Sequence, residues 1–131
     1  MLGKEHPHTA TTYDNIAAVY RNQGKYDEAL ELHQKALYIR ENVLGKEHPY
    51  TAYTYENIAR VYSDQGKYVE ALEWCCKGYR ILLHRLGDTH PHTMDAENSM
   101  RVVYRKAELS KPFEQWLQME INKEPDHEKK Y

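Results

Sequence analysis

The 131-residue chain is short of cysteine, of long apolar runs and of net charge. Cys75 and Cys76 are the only two cysteines, and they are neighbours. Adjacent side chains on a helix point about 100° apart, so these two are not expected to pair. A disulfide framework is excluded by number. Both read as small hydrophobes at a helix contact, suited to a reducing, cytoplasmic setting. A formal net charge of −2 lacks the basic excess that nucleic acid or a membrane surface demands. The longest unbroken apolar run is Ile16-Ala17-Ala18-Val19-Tyr20, far below the roughly 20 residues that span a bilayer. No charged-then-apolar leader opens the sequence, so nothing indicates secretion. Catalytic signatures are missing too: there is no glycine-rich phosphate loop, no metal-spaced cluster and no nucleophile elbow. The chain reads as non-enzymatic, with no cofactor and no metal.

What is present is a repeat. Leu44-Gly45-Lys46-Glu47-His48-Pro49 copies Leu2-Gly3-Lys4-Glu5-His6-Pro7 and returns, eroded, as Leu86-Gly87-Asp88-Thr89-His90-Pro91. The spacing is 42 residues each time, a period typical of stacked arrays. Residues 2–43 and 44–85 agree at about 25 of 42 positions. Met1 falls directly on such a seam, which reads as a start cut into an array.

Each seam launches a helix, with proline in a first turn that has no use for its missing N–H. In the first unit, Tyr13, Ile16, Ala17 and Tyr20 recur at helical spacing before a stop at Gly24. A second helix from about Tyr26 carries Ala29, Leu30, Ala36, Leu37, Ile39 and Val43, with His33 inside the stripe as a partly buried packing residue. The second unit repeats this with Tyr55, Ile58, Ala59 and Tyr62, a stop at Gly66, and then Tyr68, Ala71, Leu72, Cys75, Gly78, Tyr79, Ile81 and Leu82. The third decays. Arg101 replaces the small residue of Ala17 and Ala59, Glu108 replaces the stop glycine, and Glu120 stands where Ala36 and Gly78 stood. A charge there predicts a C-terminal cap. The expected organisation is one repeat domain over 1–123, with repeats at about 2–43, 44–85 and 86–118 and a cap helix, then a disordered tail over 124–131.

The pattern Tyr13-x-x-Ile16-Ala17-x-x-Tyr20-x-x-x-Gly24-x-Tyr26-x-x-Ala29-Leu30…Ala36 resembles the tetratricopeptide repeat, and its 42-residue period resembles the repeats of kinesin light chain and related bacterial arrays. The resemblance implies an all-α, right-handed superhelical solenoid of antiparallel helix hairpins. It also implies a concave groove, lined by the first helix of each pair, that holds a peptide or helix of a protein partner. Carried over position by position, the groove-facing residues are Thr11, Asp14, Asn15, Ala18, Arg21 and Asn22 in the first unit. They are Tyr53, Glu56, Asn57, Arg60, Ser63 and Asp64 in the second, and Asp95, Asn98, Ser99, Val102, Arg105 and Lys106 in the third.

Among these, Asn15, Arg21, Asn22, Tyr53, Asn57, Arg60, Asp64, Asn98 and Arg105 are the candidate peptide-binding residues. Asparagine is a mediocre helix former, so keeping Asn15 and Asn57 mid-helix has a local cost. Their amides could clamp a peptide backbone with donor and acceptor together, or tie helices to each other. Arg60 and Arg105 could hold a carboxylate, although Asp14, Glu56, Asp64 and Asp95 offer internal partners on the same surface. Tyr53 could present its ring. The two-lysine, two-asparagine clamp that holds a peptide C-terminus in some relatives has no counterpart here. His6, His48 and His90 sit on successive rungs. Packed helices lie about 8–10 Å apart, too far for one zinc to bridge rungs, so these histidines are expected to cap or pack helix starts.

Three functions remain open: a peptide- or helix-binding module, a self-associating segment joined through its N-terminal face, and the sensor repeats of a larger signalling protein.

Overall fold

The structure is a computed structural model that describes residues 6–123, so the Leu2–Glu5 part of the first seam and the expected tail over 124–131 lie outside the described residues. Six helices and no strands make up the described chain: α1 (Pro7–Asn22), α2 (Tyr26–Val43), α3 (Pro49–Asp64), α4 (Tyr68–Leu86), α5 (Pro91–Ala107) and α6 (Phe113–Ile121). The architecture is an all-α helical-repeat solenoid. Helices α1 to α5 each pack on the next, α1 also touches α3, and α4 touches α6.

The three seams build the same N-terminus each time. His6, His48 and His90 take extended backbone, and their Nδ1 atoms accept from the N–H two residues on, at 3.0, 3.0 and 3.1 Å. Each ring thereby satisfies one of the orphan amides of a helix start. The expected capping role holds at all three. At the other end, Gly24 and Gly66 adopt φ near +80°, the left-handed turn that closes α1 and α3. Glu108 stands in for that glycine after α5 and takes the same conformation at φ 55°, a strained choice for a side-chain-bearing residue.

The main core runs through α3–α6 and includes Tyr55, Leu72, Cys75, Tyr79, Leu82, Met100, Tyr104 and Leu117. Cys75 and Cys76 are free and buried in it, and burial pushes both thiols up, Cys76 to about 12, so neither is a reactive thiolate. Smaller clusters hold the first unit: Ala10 with Ala36 and Ile39, and Ala17 with Ala29 and Val61. Arg80 reaches from α4 to the Glu120 carbonyl at the end of α6, and Glu120 itself pairs with Lys123 at 2.7 Å.

Ile16 departs from its expected place in the apolar stripe. It is 43 % exposed and Val19 is 53 % exposed, whereas their counterparts Ile58 and Val61 are fully buried. In the second unit Val61 packs against Ala17 of α1 and Ala29 of α2. No described helix precedes α1 to do the same.

Candidate functional site

The surface shared by α1, α3 and α5 carries most of the expected binding residues, and it brings some of them together. Arg21 Nη1 donates to Asp64 Oδ2 at 3.4 Å across α1 and α3, and Arg21 Nη2 donates to Asn22 Oδ1 at 3.3 Å. Arg60 Nη1 reaches Asn57 Oδ1 only at 3.5 Å, one turn apart on α3. Asn57 is half-buried, and Arg60 is exposed. Asn15, Asn98 and Arg105 are exposed, and no hydrogen bond or ion pair joins their side chains to another described residue. Tyr53 is half-buried between rings, with centroids 5.8 Å from Tyr50 and 5.3 Å from His92, and burial pushes its phenol up.

Two positions expected on this surface turn inward instead. Asp14 is buried. Its Oδ1 accepts from His33 Nδ1 at 2.7 Å, and its Oδ2 accepts from Arg40 Nη1 at 2.6 Å and from the Thr54 hydroxyl at 3.0 Å. Arg40 is buried as well. It also donates to Thr54 Oγ1, the Tyr50 carbonyl and Thr11 Oγ1. His33 is therefore more than a packing residue: it is one corner of a buried polar network that ties α1, α2 and α3 together. A buried carboxylate is tolerable only with such partners.

Glu56, the second, occupies the Asp14 position one repeat later, and none of those partners came with it. Where Asp14 has His33, Arg40 and Thr54, the positions 42 residues on hold Cys75, Leu82 and Ala96. Glu56 Oε2 is sealed from solvent without a hydrogen-bond partner. It lies against Gly78, where a Cβ would overlap it and approach the Ala52 carbonyl to 3.1 Å. Burial pushes the Glu56 carboxyl up to about 8, and the nearby Arg60 charge only partly offsets this. The side chain also lines a cleft of about 230 Å³ between α3 and α5, together with Ala59, Arg60, Ser63, Cys75, Ser99, Val102 and Val103. Reading single positions missed this cleft. The signal was in paired columns: the carboxylate stays while all its partner positions turn apolar.

A helical-repeat solenoid with an open polar face is the architecture of an interaction scaffold. The tetratricopeptide repeat family matches residues 8–84, and the chain belongs to it. Solved structures with kinesin-light-chain-like repeats resemble it in fold. A kinesin light chain-like protein of Podosopora anserina with nearly identical TPR-like repeats is similar at 23 % identity and a TM-score of 0.70, over 88 % of this chain. A single-substitution form of that protein gives 25 % identity and the same TM-score over 92 %. This chain spans 55 % of the length of either. A comparison with curated proteins gives no match. Among the described residues no helix is long and apolar enough to cross a membrane, and no histidine, cysteine or carboxylate cluster could hold a metal ion.

Proposed function

We propose that this chain is a non-catalytic, cytoplasmic interaction module that holds an extended peptide or a helix of a protein partner along the α1–α3–α5 face. Asn57, Arg60, Asn98 and Arg105 are its main contacts, Asn15 and Tyr53 extend them, and the Arg21–Asn22–Asp64 group borders them. We place the repeat domain over 1–123. The observation that carries the reading is unspent hydrogen-bonding capacity around an open cleft: the side chains of Asn15, Asn98 and Arg105 make no hydrogen bond or ion pair with another described residue, and Asn57 and Arg60 meet only at 3.5 Å. Polar groups held on rigid helices beside an apolar cleft suit the capture of a peptide backbone.

Peptides selected from a random display library on the immobilised chain supply the test. Asn57→Ala with Arg60→Ala should weaken the selected peptides at least about tenfold, roughly 1.4 kcal/mol, while the melting temperature holds. Unchanged affinity would mean that this face is not the site.

A second reading rests on a separate observation, the exposure of Ile16 and Val19 where Ile58 and Val61 are covered. An apolar face built to receive a helix pair also suits self-association. Sedimentation velocity on the wild type and on Ile16→Asp/Val19→Asp decides it. A concentration-dependent shift that the variant abolishes supports the reading, and a monomer at every concentration removes it.

A further inference from the structure

The cleft between α3 and α5 has apolar sides and one carboxyl at its inner wall. Ala59 of α3, Cys75 of α4, and Val102 and Val103 of α5 form the sides, Ser63 and Ser99 add hydroxyls, Arg60 adds a guanidinium, and Glu56 supplies the carboxyl. We propose that this cleft binds the side chain of a lysine from a partner peptide, with the methylene stem against Val102 and Val103 and the ammonium on Glu56. The inference rests on the peptide-binding reading and names the partner chemistry of that same face.

Three observations converge on it. First, Glu56 Oε2 is sealed against Gly78 and neither Glu56 oxygen has a hydrogen-bond donor among the described residues, although the homologous Asp14 has three. A buried carboxyl left unsatisfied is costly unless something outside the fold completes it. Second, the lining beside it combines apolar side chains with polar ones, which suits an amphipathic side chain. Third, Gly78 replaces the alanine of the first unit and leaves room for the longer acid to fold against α4. The charged and titratable groups that face Glu56 are Arg60 from its own helix and the Cys75 and Cys76 thiols from α4. From α5 only Ser99, Val102 and Val103 line the cleft, and none carries a charge. Arg60 lines the cleft as well, yet no hydrogen bond or ion pair joins it to Glu56, and its guanidinium reaches only Asn57, at 3.5 Å.

Binding an ammonium requires the carboxylate form. Because Glu56 is raised to about 8, the free protein holds this proton at neutral pH and releases it on binding. Affinity for a cation should therefore fall about tenfold for each pH unit below about 8. An uncharged ligand would show no such slope, since it gains nothing from the ionised carboxylate.

The probe is n-butylammonium chloride, titrated into the full chain labelled with ¹³C and ¹⁵N, with n-butanol and butyramide as uncharged controls. The expected result is a saturable shift of the Glu56 carboxyl carbon and of the Ser99, Val102 and Val103 amides. It should be stronger at pH 8.5 than at pH 6.5, absent with the controls and absent in Glu56→Gln. Glu56→Gln keeps the shape of the neutral acid and should fold. If it does not, the wild-type Glu56 carbon and its pH slope decide alone. Shifts that miss Glu56, shifts equal for butyramide, or shifts that persist in Glu56→Gln would each overturn the proposal. None of these would touch the peptide reading, whose test runs through Asn57 and Arg60.

Discussion

Replacing Arg40 with leucine, the residue that its counterpart Leu82 already is, should be among the most damaging single changes in the chain. Arg40 meets Asp14 at 2.6 Å and Thr54 at 2.7 Å, all three side chains are buried, and the guanidinium also serves the Tyr50 carbonyl. Leucine would fill much of the space but leave Asp14 with only His33 and the Thr54 hydroxyl. Stranding one member of a buried ion pair costs about 3–5 kcal/mol, and apolar packing by leucine recovers part of it, so a loss of about 3 kcal/mol is expected. Asp14→Ala/Arg40→Leu should then be more stable than Arg40→Leu alone, because it removes the stranded charge. The two changes should couple by about 2 kcal/mol in a double-mutant cycle. Equilibrium urea unfolding followed by circular dichroism at pH 7 measures all four corners. A loss under about 1 kcal/mol for Arg40→Leu, or strict additivity of the pair, would refute the argument that this network holds α1, α2 and α3 together.

Other outcomes follow from single contacts. Glu56 has a folded-state value raised from 4.5 to about 8, so the stability linked to its proton is fully present below about 4.5 and lost as pH rises through about 8. Glu56→Gln should match the wild type at pH 5 and exceed it at pH 9 in urea unfolding. Gly78→Ala puts a methyl into the Glu56 carboxyl and should cost about 1 kcal/mol. Glu56→Asp/Gly78→Ala, which restores the Asp14–Ala36 pairing of the first unit, should recover most of that in the same assay. His48→Ala removes the acceptor for the Tyr50 amide and should cost about 1 kcal/mol, with His48→Asp restoring it.

The fold was legible because the repeat made it so. A 42-residue period, small residues at helix crossings and glycines at helix stops each have one structural meaning, and six helices follow from them. The histidine caps were legible for the same reason, since a residue just ahead of proline at a helix start has few roles. The site was less legible. Repeat position suggests which residues share a face, yet the burial of a given side chain depends on partners from other helices. Asp14 and Glu56 occupy one column and look alike, but His33 and Arg40 decide that the first is structural, and Cys75 and Leu82 leave the second without such a role. Ile16 departs from expectation for a related reason: its periodicity marks a face to be covered, without saying what covers it.

A peptide held along the α1–α3–α5 face would leave a footprint on its residues. Chemical-shift mapping of the labelled chain with a library-selected peptide tests it most directly. Perturbations are expected at Asn57, Arg60, Ser99, Val102 and Arg105, centred on the cleft between α3 and α5. Perturbations confined to the outer faces of α2 and α4, with the cleft residues unmoved, would contradict it.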